Sequence, residues 1–230
     1  MEFLAMLGDL YVKITIFELQ NKVPHNMKNI YLIIVLLLSA MQAYSNEYRI
    51  VFMGDSITEA WLTEDPEFFE TKPYINRGIS GQTTQEMLDR FQKDVIDLKP
   101  SVVVILAGTN DIAENGGPIT VEEIHKNILE MTKLAQTNQI RVVLCSVLPA
   151  YDYPWRTGLK PAEKIVRLNE MIRNHARQKG FTYCDYYSSL VDERKGLKFS
   201  YSEDGVHPNI SGYKIMERIV ERAVEEALKQ

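Results

Sequence analysis

Ser56 stands in Gly54-Asp55-Ser56-Ile57, directly after the strand-forming run Arg49-Ile-Val-Phe-Met53. A strand that stops there delivers the hydroxyl to its carboxyl end, the edge where open α/β sheets form ligand crevices. If a helix begins at Ser56, its backbone N–H also sits in the positive field of that terminus. Taken alone, such a serine reads as an ordinary helix N-cap. It can attack a carbonyl only where the chain also supplies a base, a carboxylate to orient that base, and donors for an oxyanion.

The chain contains candidates for each role. His207, in the turn Asp204-Gly-Val-His-Pro208, is the candidate base. Asp204 precedes it by three residues, a spacing that can fold the carboxylate back onto the imidazole and fix its tautomer. Asn110, in Gly108-Thr-Asn-Asp111, offers an amide donor, and Gly78 offers a backbone N–H that another segment can approach closely. With the N–H of Ser56 these make three oxyanion donors. Each residue also has a plainer reading, Asp204 and Asn110 as turn residues and His207 as a helix-start histidine. His25, His125 and His175 are assigned no role. No Cys/His cluster has metal-ligand spacing, Gly78-Ile-Ser-Gly81 is too short for a dinucleotide fingerprint, and Gly-x-Ser-x-Gly is absent. Neither a metal nor a cofactor is expected.

The elements that would position these residues alternate in type. Strands are predicted at 49–53, 74–77, 101–107, 140–148 and 181–186. Helices are predicted from 57 to 62, 83 to 98, 120 to 134, 161 to 179 and 211 to 228, with capping boxes at Thr83-Thr-Gln-Glu86 and Thr120-Val-Glu-Glu123. The run Ser101-Val-Val-Val-Ile-Leu-Ala107 reads as a parallel strand buried on both faces. Five strands separated by helical crossovers predict a three-layer α/β/α sandwich with a five-stranded parallel sheet. All the candidate residues then fall past strand carboxyl ends, on one shared edge. After the fourth strand, Tyr151, Tyr153 and Trp155 could stack on a sugar ring or pack on one another.

The chain has 230 residues, 45% hydrophobic and 25% charged, with a formal net charge of −5. This balance, without a basic stripe, argues against a nucleic-acid partner. Cys145 and Cys184 lie in apolar runs and are expected as buried free thiols. Residues 27–45 read as a secretory signal: a polar start with Lys28, the apolar run Ile30 to Leu38, then small residues up to Ser45. That run is too short to span a bilayer. Residues 1–26 are expected to be an upstream extension, 46–230 the domain, and the protein secreted or periplasmic without stable membrane insertion.

Gly54-Asp-Ser-Ile57, Gly78, Gly108-Thr-Asn-Asp111 and Asp204-Gly-Val-His-Pro208, in this order, resemble the four blocks of the SGNH hydrolases, also called GDSL esterases and lipases. Ile57 stands where the family name has Leu. The resemblance implies a flavodoxin-like strand order 2-1-3-4-5, a Ser56-His207-Asp204 triad, and oxyanion donors at Ser56, Gly78 and Asn110. Similarity to platelet-activating-factor-acetylhydrolase-type acylhydrolases and carbohydrate acetylesterases implies a short acyl group on a small-molecule or carbohydrate ester. An O-acyltransferase using the same triad, and a non-catalytic carbohydrate-binding protein on this scaffold, remain open at this point.

Overall fold

The computed structural model describes residues 49–230 and, before them, Ile34 alone. The expected extension at 1–26 and signal at 27–45 otherwise lie outside the described residues. Five parallel strands, β1 (Ile50–Gly54), β2 (Tyr74–Gly78), β3 (Val102–Ile105), β4 (Arg141–Cys145) and β5 (Thr182–Cys184), stand in the order β2-β1-β3-β4-β5. This is the predicted sheet.

Its central strands are apolar without alternation because both faces are covered. Val51, Met53, Val103, Ile105, Val142 and Leu144 face one core, closed by α3 (Thr84–Asp94), α5 (Val121–Thr137) and α6 (Ala162–Lys179). Ile50, Phe52, Val102, Val104, Val143 and Cys145 face the other, closed by α1 (Ser56–Glu64), α2 (Glu67–Glu70) and α8 (Ile210–Leu228). Two further short α-helices among the described residues are α4 (Thr109–Ile112) and α7 (Tyr187–Leu190). Both predicted capping boxes form, Thr83 with Glu86 and Thr120 with Glu123.

The differences from expectation have local causes. The polar connection after α1 contains α2, because Phe68 and Phe69 bury against Phe52 and Trp61; Trp61 and Phe68 stack at 4.6 Å. The third strand stops at Ile105, and after Gly108 the chain coils into α4. The fourth stops at Cys145, and the Asn169 side chain takes both the N–H and the C=O of Val147 in place of a neighbouring strand. Cys145 and Cys184 are register partners on β4 and β5, both buried and free.

Gly78 ends β2 against the backbone of α1. A Cβ there would lie 2.1 Å from Glu59 N and 2.7 Å from Thr58 C, atoms that cannot swing aside. Overpacking of this kind typically costs about 1–3 kcal/mol. Gly78→Ala should therefore lower the Tm, by roughly 2–12 °C at about 2–4 °C per kcal/mol for a domain of this size. Calorimetry reads this directly, and an unchanged Tm would mean that β2 and α1 can separate freely.

Candidate active site

Ser56 Oγ lies 2.9 Å from His207 Nε2, although 151 residues separate them. His207 Nδ1 lies 2.7 Å from Asp204 Oδ2. With the Nδ1–H donating to the carboxylate, Nε2 is left as the acceptor facing the serine hydroxyl.

Each member is held by its own local structure. Asp55, not Ser56, caps α1: its Oδ1 accepts the Ile57 N–H at 3.0 Å. Ser56 thereby becomes the first helical residue, and its N–H is one of the donors a helix start leaves over. Asp204 Oδ1 accepts from Val206 N and His207 N, both at 2.8 Å, and from Ser202 Oγ at 3.1 Å. That leaves Oδ2 for the imidazole. Burial disfavours the Asp204 carboxylate, but the His207 side chain and the two amides together outweigh it and hold the group below its usual range. Ser202, itself buried, also accepts the Gly205 N–H. Tyr213, on α8, donates to the Ile57 C=O at 2.8 Å. Neither Ser202 nor Tyr213 stands out in the sequence, since a turn serine and a helix tyrosine look ordinary there.

Asn110 lies on α4 and is almost fully buried. Its Nδ2 donates to Gln82 O at 3.1 Å and faces Asp55 Oδ2 at 3.4 Å, and its Oδ1 accepts from Asn115 Nδ2. Asp111 beside it accepts from the Thr84 N–H and hydroxyl, tying α4 to the start of α3.

Gly78 is placed differently from expectation. Its N–H donates to Asn76 Oδ1 at 2.8 Å, and Asn76 Nδ2 in turn donates to Thr58 O. The glycine permits close packing of strand on helix, and its N–H is committed. Gly81, three residues on, has φ 78°, open space where a Cβ would be, and an N–H without an acceptor among the described residues. On one side Ser80 N bonds Glu59 on α1, and on the other the Gln82 carbonyl holds Asn110. The signal in the sequence was the second glycine of Gly78-Ile-Ser-Gly81.

The three aromatic residues after β4 divide. Tyr153 is completely buried, so of the two alternatives it packs on its neighbours and offers no stacking face. It packs beneath Trp155 at 5.2 Å between ring centres. Trp155 and Tyr151 are about half exposed, at 45% and 57%. The Trp155 ring stands 6.0 Å from that of His207. A cleft of about 250 Å³ runs past Tyr151, Pro154, Arg194 and Leu197 to Asp204. His125 and His175 pair with each other between α5 and α6. Among the described residues no group of His, Cys, Asp or Glu is arranged to hold a metal ion, and no helix is long and apolar enough to cross a membrane.

Residues 52–215 match the model of the GDSL-like lipase/acylhydrolase family. A solved structure of a GDSL-like lipase from Bacteroides thetaiotaomicron superposes with a TM-score of 0.78 at 47% identity, covering 79% of this chain and 90% of that one. An acetylxylan esterase of Xylanibacter ruminicola is 24% identical over 176 residues, which are 65% of this chain and 35% of that protein. An uncharacterised lipoprotein of Bacillus subtilis is 33% identical over 81 residues, 34% of this chain and 33% of that one. The chain thus spans about a third of the length of these two relatives.

Burial pushes the Asp55 carboxyl up to about 6, against the opposing pull of the Ile57 N–H and His207. An unfolded aspartate titrates near ~3.9. Between about pH 4 and 6 the folded state therefore holds a proton that the unfolded chain has released, and stability falls as pH rises. The cost is complete above about pH 6, on the order of 3 kcal/mol. Asp55→Asn keeps an acceptor for Ile57 but carries no charge. Its stability relative to wild type should rise between pH 4 and 7 in urea titrations. A difference constant with pH would show that Asp55 ionises as easily in the fold as outside it.

Proposed function

We propose that this chain, which belongs to the GDSL-like lipase/acylhydrolase family, is a serine esterase that removes short acyl groups, acetyl above all, from carbohydrate esters through an acyl-enzyme. The Ser56–His207–Asp204 hydrogen-bond chain, at 2.9 and 2.7 Å, carries this reading. Ser56 Oγ attacks the ester carbonyl as His207 Nε2 takes its proton. The developing oxyanion is met by the N–H of Ser56, the side-chain amide of Asn110 and, in place of Gly78, the N–H of Gly81. His207 returns the proton to the leaving alcohol. It then takes one from water, whose attack on the acyl carbonyl releases the acid and restores Ser56.

The carbohydrate assignment is supported by the half-exposed Tyr151 and Trp155 beside the cleft that reaches Asp204. Flat aromatic faces suit the C–H faces of sugar rings, and the acetylxylan esterase named above acts on such an ester. We place the chain outside the cytoplasm, on the signal-like residues 27–45, with residues 1–26 as an upstream extension and 46–230 as the mature domain.

Two experiments test this. On aryl esters of graded chain length and acetylated xylose oligomers, kcat/KM should be greatest for acetate and fall with acyl length. It should also drop for the oligomers, with little change for the aryl acetate, when Tyr151 is replaced by Ala. A preference for long chains, or the same loss on both substrates, would remove the acetyl-carbohydrate assignment. Separately, Ser56→Ala, His207→Ala and the double variant should share one residual rate, because losing either member already disables the nucleophile. Asp204→Asn should be milder than either. Losses that multiply in the double variant would mean that Ser56 and His207 do not handle the same proton.

A further inference from the structure

An amide at an oxyanion site works only if its nitrogen, not its oxygen, faces the reacting carbonyl. The two ends of the Asn110 side chain are nearly the same size, so neighbours must distinguish them. One neighbour is the Gln82 carbonyl, which can only accept and so draws Nδ2. On the far side, Asn115 Nδ2 donates to Asn110 Oδ1 at 2.6 Å, and Asn115 N donates to Asn110 O at 2.9 Å. The Asn115 amide is itself polarised from outside. The Trp155 indole N–H, which can only donate, reaches Asn115 Oδ1 at 3.0 Å. A donor-only group at one end and an acceptor-only group at the other thus fix both amides in the same sense.

We propose that Asn115 is a positioning residue: it orients the Asn110 amide for the oxyanion and couples that orientation to Trp155, the aromatic wall beside His207. The proposal rests on the esterase reading above, and specifically on Asn110 as a donor. One Nδ2 hydrogen of Asn110 is spent on Gln82 O. The other makes only a long bond to Asp55 Oδ2, at 3.4 Å, which a substrate oxygen can replace. Asn115 also contributes little to the core. It is exposed, on the loop between α4 and α5, while Asn110 is buried. An alcohol or sugar packed on Trp155 would press on the same bond chain that aims the oxyanion donor.

The test is a mutant cycle on a short aryl ester, with Tm measured for each variant. Asn115→Ala should lower kcat roughly 5- to 20-fold, less than loss of the donor itself, with KM within about twofold and Tm nearly unchanged. Asn115→Asp keeps an acceptor for Trp155 but turns a carboxylate toward Asn110 Oδ1, so its kcat should fall further. Trp155→Phe keeps a ring and frees Asn115, and its kcat should lie between wild type and Asn115→Ala. In an Asn110→Ala background, Asn115→Ala should cost nothing more, because the amide it orients is gone. A merely structural contribution would lower activity in both backgrounds. A wild-type kcat for Asn115→Ala, or a further loss in the Asn110→Ala background, would overturn the proposal while leaving Asn110 a donor. If Asn110→Ala alone keeps full kcat while Ser56→Ala abolishes it, the donor assignment falls, and the positioning role falls with it.

Discussion

Two residues 151 positions apart must meet at 2.9 Å, and rigid elements rather than the loops themselves hold that distance. Ser56 is the first residue of α1, anchored by β1, an interior strand between β2 and β3. His207 lies three residues before α8, which packs into the same core as α1. The Tyr213 hydroxyl then joins the two helices by bonding Ile57 O, one residue from the serine. The Asp204 turn needs no such support from afar, because three donors to Oδ1 shape it locally. Side chains positioned in this way do not have to be ordered at the moment of reaction.

The same edge is electrostatically costly. Asp55 and Asp111 are both buried, and Asp111 is close enough to oppose the ionisation of Asp55. Burial pushes the Asp111 carboxyl upward too, opposed by its two bonds from Thr84. A buried carboxylate is tolerated only where donors meet it. Here those donors are the Ile57 amide in the first turn of α1 and the start of α3. Each carboxylate therefore fixes the start of a helix next to the site. An apolar residue at either position would relieve the repulsion but release a helix start, and with it Ser56 or the loop that holds Asn110. Such a trade of stability for placement is common where function sets the residue.

How much of this was legible in the sequence depends on the range of the interaction. The parallel sheet and both capping boxes follow from runs and spacings of a few residues, the strand order from the family resemblance, and they are found as read. That Ser56, His207, Asp204 and Asn110 would lie close together was legible because strand ends in a parallel sheet share an edge, whatever the details of the loops. Gly78 was misread because two glycines three apart satisfy the same reading; only the bond to Asn76 Oδ1 and the backbone of α1 separate them. The role of Tyr153 stayed open for a related reason. Alternating aromatics in a loop do not say which one turns inward, and burial beneath Trp155 decides it. Asn115 gave no signal, because its significance lies wholly in what stands at its two ends.

The buried Tyr153 has a consequence for the loop that carries it. Asp152 takes the N–H groups of Tyr153 and Gly158, closing the loop on itself. Arg156 bonds Glu114 O and pairs with its carboxylate, which also faces Lys164. Exposed ion pairs contribute little singly, typically well under ~1 kcal/mol each, but here they act on a loop already pinned by a buried ring. Trp155 and Tyr151 are thus presented on a backbone with few conformations left to lose. For a sugar ring, which offers weak and spread-out contacts, that matters more than contact area, since ordering a mobile aromatic would consume much of the gain. The same rigidity serves the Trp155–Asn115–Asn110 chain, because a wall that wandered could not polarise an amide behind it. On the proposed reading, binding of the alcohol and stabilisation of the oxyanion therefore draw on one anchored loop, and Tyr153 is the side chain that anchors it.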